Sequence, residues 1–131
     1  MLQALNTGHD GSLTTLHANS PEDSIARLTT MVRYEADLPV DVIEANIASA
    51  IDLVVQMRRS PDGSRCVSDV VALRFDRQAG RCSTVPYYKR ALGASEGAWE
   101  AVPGWIDDVP LHAAATEEEV ASWKRACLQS R

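Results

Sequence analysis

The sequence lacks the features that mark membrane, secreted or nucleic-acid-binding proteins. It has 13 Lys and Arg residues and 18 Asp and Glu residues, which gives a formal net charge of −5. No broad basic field is therefore available to attract nucleic acid or anionic lipid. No apolar run approaches the roughly 18 to 20 residues that cross a bilayer, and no basic-then-apolar secretory signal opens the sequence. These absences predict a cytoplasmic protein that does not bind nucleic acid.

Cysteine and aromatic residues are also scarce. The three cysteines, Cys66, Cys82 and Cys127, are odd in number and widely spaced, which predicts free thiols in a reducing compartment. Aromatic residues make up only 5% of the chain, whereas hydrophobic residues reach 45%. A core can therefore form, and 131 residues allow one domain or less.

Small polar residues concentrate in residues 8–20. Gly8 and Gly11 permit a tight turn, and the Thr- and Leu-rich residues 13–18 predict a short strand inside a parallel sheet. Asn19 or Ser20 then caps a helix that has Pro at its first position. So many small polar groups around a strand predict the edge of a functional site.

Apolar spacing predicts a helical hairpin after this stretch. Residues 22–34 carry an apolar stripe at helical spacing, and residues 40–50 carry a second one. Glu44 and Asn46 are expected to point away from that second stripe. The predicted buried positions are Ile25, Leu28, Met31, Val32, Val40, Ile43, Ile47 and Ala50.

Alternation of apolar residues then predicts three antiparallel strands, at 51–57, 65–76 and 82–88, joined by turns at 60–64 and 78–80. Thr116 can cap a final helix, in which Val120, Trp123 and Cys127 can pack at helical spacing. The predicted class is α/β, with a mixed sheet, a helical hairpin and an antiparallel β-meander.

Two stretches carry a resemblance to a known family: "MLQALNTGHDGSLTTLHANSPEDSIARLTTMV" and "LPVDVIEANIASAIDLVVQMRRSPDGSRCVSDV". They resemble the histidine-box region of the secretion and pilus-assembly ATPases, RecA-like hexameric motors of type II and type IV secretion, and above all the tight-adherence pilus branch. The resemblance runs to about Ser68 and fades beyond Phe75. It implies a partial RecA-like motor domain over 1–90 and a variable extension over 91–131.

The resemblance also implies roles for the polar stretch. Histidines of such a box resemble sensors near the nucleotide, where a hydrogen-bonding group responds to the γ-phosphate. The implied nucleotide-sensing residues are His9, Asp10, Gly11, Ser12, Thr14, Thr15, His17 and Asn19. The residues alone leave plainer alternatives open. The histidines can fill a turn and a strand end, the hydroxyls can bond to the backbone, and Asn19 can be only a cap. A metal site is not expected, because no nearby Cys or His pair completes one.

Three arginines form an implied subunit interface: Arg27, Arg58 and Arg59. Arg27 can instead pair with Glu22 or Asp23 on its own helix. Arg58 and Arg59 can instead guard a solvated strand end rather than bind phosphate.

The phosphate-binding loop of these motors, Gly-x-x-x-x-Gly-Lys-[Ser/Thr], does not occur in the sequence. The chain therefore looks like the C-terminal part of a motor domain. The resemblance implies ATP and magnesium for a complete family member, and no cofactor for this chain alone. The implied partners are further copies of the chain, intact motor subunits and inner-membrane secretion machinery, at a cytoplasmic location that allows peripheral membrane association.

Three functions compete. The first is a motor fragment that does not hydrolyse ATP alone, and the second is a stand-alone module that binds or regulates intact motor subunits. The third is an unrelated hydrolase using Ser12, His17 and Asp10. It ranks far below the others because nothing shapes a nucleophile elbow or an oxyanion hole.

Overall fold

The computed structural model describes residues 12–103 and 115–129. Within these residues, three helices and four strands follow one another. They are α1 (Pro21–Glu35), α2 (Val40–Ala50), β1 (Leu53–Arg59), β2 (Arg65–Asp76), β3 (Arg81–Lys89), β4 (Ala98–Trp99) and α3 (Glu117–Gln129). The strands form one antiparallel sheet in the order β1-β2-β3-β4. The predicted α/β class is thereby confirmed. Within the described ranges, every helix is too short or too polar to cross a membrane.

Two compact units are distinguished by their internal contacts. The first contains described residues 12–56 together with Val71–Val85. The second contains Met57–Val70 together with described residues 86–103 and 115–129.

Helix α1 starts where the sequence predicts. Ser20 is the N-cap, since the Asp23 N–H donates to its Oγ at 3.1 Å, and Pro21 occupies the first helical position. Proline suits that position because its missing N–H would have no partner there in any case. Of the two predicted caps, the structure selects Ser20.

The core of the first unit joins α1 and α2 to β2. Its buried members are Ile25, Leu28, Ile43, Ile47, Val71 and Leu73. Met31 was predicted to be buried but is 50% exposed. At 3.6 residues per turn it lies about 120° around the helix from Ile25, outside the buried stripe. Glu44, predicted to point away from the core, is buried as well.

The meander follows the predicted alternation. Strand β1 begins two residues later than predicted, β2 has the predicted bounds, and β3 is one residue longer at each end. In the β1–β2 turn, Asp62 Oδ1 accepts from the Ser64 N–H at 2.9 Å and from Ser64 Oγ at 2.7 Å. These bonds lower the pKa of the Asp62 carboxyl. Gly63 adopts φ +87°, which a residue with a side chain rarely does.

The predicted strand at residues 13–18 is wrong. Residues 12–18 are irregular and Leu13 is fully exposed. A strand requires a hydrogen-bonded ladder, and none of the described strands pairs with this segment. The sheet in the described ranges is antiparallel, so the predicted mixed sheet is not seen there either.

The second unit contains a short strand that the sequence pattern did not reveal. Strand β4 has only two residues, which pair with Tyr88 and Lys89 of β3. The Tyr88 and Trp99 rings meet edge to face at 5.4 Å. Two residues are too few to show an alternating pattern.

Helix α3 begins with a capping box. The Thr116 N–H donates to Glu119 Oε2 at 2.8 Å, and the Glu119 N–H donates to Thr116 Oγ1 at 3.3 Å. Val120 and Cys127 are buried as predicted, but Trp123 is 43% exposed. Helix α3 packs on β4, and this short strand offers too narrow a surface to cover the indole as well.

Candidate functional site

An open depression of about 530 Å³ lies in the first unit, where the irregular segment enters α1. Five residues line it: His17, Ala18, Asn19, Asp23 and Arg27. Four of the five have polar or charged side chains, and these four are solvent-exposed. The depression can therefore contact a polar ligand without any rearrangement of the core.

Local structure explains why these side chains share one surface. Asp23 and Arg27 are four residues apart on α1, so they lie one above the other on the same helix face. The segment that leads into the helix is held by Gln56 of β1, whose Nε2 donates to the Ala18 carbonyl oxygen at 3.1 Å. That bond positions His17 and Asn19 beside the first turns of α1.

The charges of the depression are not paired off within the described part of the chain. No ion pair joins Arg27 to Glu22 or Asp23 there, whereas Arg81–Glu44 and Arg58–Asp69 do form. Glu22 instead accepts from Thr84 Oγ1 at 2.6 Å. The alternative in which Arg27 pairs with an acid of its own helix is therefore not seen among the described residues.

The predicted histidine-box residues divide into three groups. His17 and Asn19 line the depression. Ser12, Thr14 and Thr15 are exposed in the irregular segment and do not line it. His9, Asp10 and Gly11 lie outside the described residues. Asp23 was considered in the sequence as a possible partner of Arg27 on the same helix and not as a site residue, although its spacing of four from Arg27 places the two on one face.

Arg58 and Arg59 do not line the depression. They belong to the end of the β1–β2 hairpin, in β1. Arg58 lies 4.0 Å from Asp69, and Arg59 Nε donates to the Gly63 carbonyl oxygen at 3.2 Å. Both contacts are local, which fits the simpler interpretation of a solvated strand end.

The depression does not suit a complete site for magnesium nucleotide. It offers one carboxylate, and nowhere in residues 12–103 and 115–129 do three His, Cys, Asp or Glu side chains converge as metal ligands. Magnesium on a nucleotide is held by carboxylate or hydroxyl oxygens together with the phosphates. The His17 imidazole and the Arg27 guanidinium can donate to phosphate oxygens, but they do not replace a Gly-rich phosphate-binding loop.

One family of known proteins matches most of the chain. Residues 1–96 match the family described as type II/IV secretion system proteins. The chain belongs to this family. The predicted resemblance to a partial secretion ATPase domain is thereby confirmed. The match also continues about twenty residues beyond Phe75, where the sequence resemblance seemed to fade.

Individual members of the secretion family are similar over shorter stretches. A Mycobacterium tuberculosis (strain ATCC 25618 / H37Rv) protein named for conjugal transfer is 30% identical over 75% of this chain and 27% of its own length. The type IV secretion system protein PtlH of Bordetella pertussis is 38% identical over 49% of this chain and 20% of its own. VirB11 of Bartonella quintana, also a type IV secretion system protein, is 34% identical over 44% of this chain and 17% of its own. The chain thus spans about a quarter or less of these relatives.

Proposed function

We propose that this chain is the histidine-box part of a motor that energises type II or type IV secretion or pilus assembly, and that it does not hydrolyse ATP alone. The observation that carries the proposal is the meeting of His17, Asn19 and Arg27 in one open depression at the start of α1. In this proposal the depression senses a nucleotide phosphate that other parts of a motor hold.

The donors of the depression suit a phosphate group. The Arg27 guanidinium carries a permanent positive charge and presents several N–H donors in a plane. The His17 imidazole and the Asn19 amide add donors beside it. The N-terminal end of α1 carries the positive end of the helix dipole, which favours an anion there. The Asp23 carboxylate opposes an anion, so the site favours a phosphate that approaches from the Arg27 side.

The openness of the depression supports sensing over catalysis. Phosphoryl transfer depends on fixed positioning and on stabilisation of charge, and an exposed group of four polar side chains supplies little of either. The lost or gained γ-phosphate can nevertheless change the hydrogen bonds of His17 and Arg27. Those bonds act on the first turns of α1, which is packed into the core through Ile25 and Leu28.

The names of the relatives support the secretion class. They are named for conjugal transfer and type IV secretion. By this likeness, the proposed partners are other motor subunits and the secretion machinery of the inner membrane, at its cytoplasmic side. ATP and magnesium belong to the complete motor in this proposal.

The test measures phosphate release with magnesium and ATP in two settings. The isolated chain is expected to show no turnover at a motor-like rate. Mixed with an intact motor subunit of the same secretion system, it is expected to change that subunit's turnover. His17→Ala and Arg27→Gln should each abolish the change. His112→Ala, outside the matched residues 1–96, is the control with the same chemical alteration and should keep it.

Two results would overturn the proposal. One is ATP turnover by the purified chain alone that disappears in His17→Ala, because the chain would then be an ATPase without the Gly-rich phosphate-binding loop. The other is a mixing effect that all variants retain, because the depression would then have no part in it. If the chain only inhibits ATP turnover by the intact subunit, and this inhibition requires His17, the result would favour a stand-alone module that regulates motor subunits over a part of the motor itself.

A further inference from the structure

We propose that Gln56 is a positioning residue for the phosphate group that the depression binds. Its bond to the Ala18 carbonyl oxygen fixes the segment that carries His17 and Asn19, and so sets how tightly these two side chains hold the phosphate. The inference rests on the proposed function and adds to it a residue of β1 that lies outside the depression.

The segment that carries the two side chains has an inner and an outer side. Leu16 and Ala18 are half-buried, whereas His17 and Asn19 are exposed. Leu16 packs against the core cluster of the first unit. Ala18 accepts a hydrogen bond from Gln56 Nε2 at 3.1 Å. His17 therefore lies between two attached residues, and these attachments restrict where its imidazole can lie.

The Gln56 bond is the polar one of these two attachments. Residues 12–18 belong to none of the described strands, so no ladder of backbone bonds from those strands holds them. Gln56 is itself half-buried in β1, which gives its amide a fixed origin. A side-chain bond from a strand to an irregular segment therefore supplies an order that the segment's own backbone does not.

The donors of the depression are held in two different ways. Arg27 belongs to α1, whose own backbone bonds fix it. His17 and Asn19 precede the helix and depend on the attachments of their segment. Without the Gln56 bond, a bound phosphate would have to order this segment itself. Ordering the backbone of one residue costs on the order of tenfold in affinity.

The experiment titrates inorganic tripolyphosphate into the whole chain and follows the NMR signals of the His17 ring and of the Gln56 side-chain amide. NaCl of equal ionic strength is the reference. The wild type is expected to bind with a Kd of about 1 mM, because an open site with few donors binds weakly. Both signals should move along one binding curve, since the bond links the two residues.

Gln56→Met removes the amide, keeps a side chain of similar length and leaves the charge unchanged. It should bind tripolyphosphate about tenfold more weakly, by the cost of ordering the segment. Gln78→Met makes the same change at an exposed position in the β2–β3 turn and should bind like the wild type. Circular dichroism and the urea midpoint check that each variant is folded.

A double-mutant cycle shows whether Gln56 acts through the side chains of the segment. In His17→Ala/Asn19→Ala, the phosphate no longer contacts the two side chains that the bond positions. Adding Gln56→Met to this background should therefore change the affinity by less than about twofold, because the effects of coupled residues are not additive. A bond that only stabilises the fold would not produce this dependence.

Three results would overturn the inference. One is an equal affinity of the wild type and Gln56→Met, even with a lower urea midpoint, because the bond would then stabilise the fold without setting the site. Another is a tenfold loss that persists in the His17→Ala/Asn19→Ala background. The third is a wild type that does not bind tripolyphosphate. The proposed function is judged separately, by the ATP turnover of mixed subunits, so it can stand where the role of Gln56 fails.

Discussion

Truncating the Glu44 side chain tests which contacts hold helix α2 against the sheet. This side chain is only 8% exposed. Oε2 accepts from the Cys82 N–H of β3 at 2.7 Å, and Oε1 lies 3.4 Å from Arg81 Nη1. A carboxylate thus satisfies a backbone donor of β3. We expect Glu44→Ala to destabilise the chain strongly, because it leaves that donor without its partner.

The magnitude follows from the two contacts. A hydrogen bond to a charged group contributes about 1.5–3 kcal/mol, and removing the acceptor of a partly buried donor costs about 1–3 kcal/mol, so the two ranges describe one loss of about 3 kcal/mol at most. The Arg81 pair adds little, because its guanidinium is 69% exposed and an exposed pair contributes about 0.2–1 kcal/mol. We therefore expect Glu44→Ala to lower the free energy of unfolding by about 3 kcal/mol. That is a large share of the roughly 5–15 kcal/mol typical of a folded protein.

Urea unfolding followed by circular dichroism measures this loss. With a slope of about 1–3 kcal/mol per molar urea, the midpoint should fall by roughly 1–3 M. Glu44→Gln keeps an acceptor oxygen for the Cys82 N–H and should lose only about 1 kcal/mol. Arg81→Ala should lose about 1 kcal/mol or less.

Two results would refute this reasoning. If Glu44→Ala unfolds within about 0.5 kcal/mol of the wild type, the buried bond to β3 does not stabilise the fold in the way described. If Arg81→Ala is as damaging as Glu44→Ala, the ion pair matters more than the backbone bond.

Two further predictions concern Gly97 and Cys82. Gly97→Ala should lower stability by about 1–3 kcal/mol in thermal unfolding, because the new Cβ would overlap the Tyr88 ring and lie 2.6 Å from the Lys89 carbonyl oxygen; an unchanged melting temperature would contradict this. Burial, and then the Glu44 carboxylate, raise the pKa of the Cys82 thiol above its ordinary 9.0. The folded chain then keeps a proton that the unfolded chain has lost, so stability is unaffected well below pH 9.0 and falls as the pH rises through the folded pKa. The urea midpoint of the wild type should therefore fall at alkaline pH, and Cys82→Ala should remove this part of the fall whereas Cys66→Ala should keep it. An equal fall in the wild type and both variants would contradict the assignment to Cys82.

Patterns that depend on neighbouring residues were predictable from the sequence. The N-cap and Pro at the start of α1, the bounds of β2 and the Thr116 cap of α3 all follow from residues a few positions apart. Their physical causes, backbone donors at a helix end and alternation along a strand, are present in any short segment. The family resemblance likewise came from a continuous stretch, which the match over residues 1–96 confirms.

Features that depend on distant partners were decided by the tertiary structure. Residues 13–18 have strand composition but are irregular, because a strand also needs a hydrogen-bonded neighbour. Glu44 is polar and was expected at the surface, yet it is buried because β3 brings the Cys82 N–H to it. Arg27 and His17 are ten positions apart in the sequence, and only the entry of the irregular segment into α1 brings them to one depression. The sequence therefore determined the local elements and the family, whereas contacts between elements determined which polar side chains are buried and which share a surface.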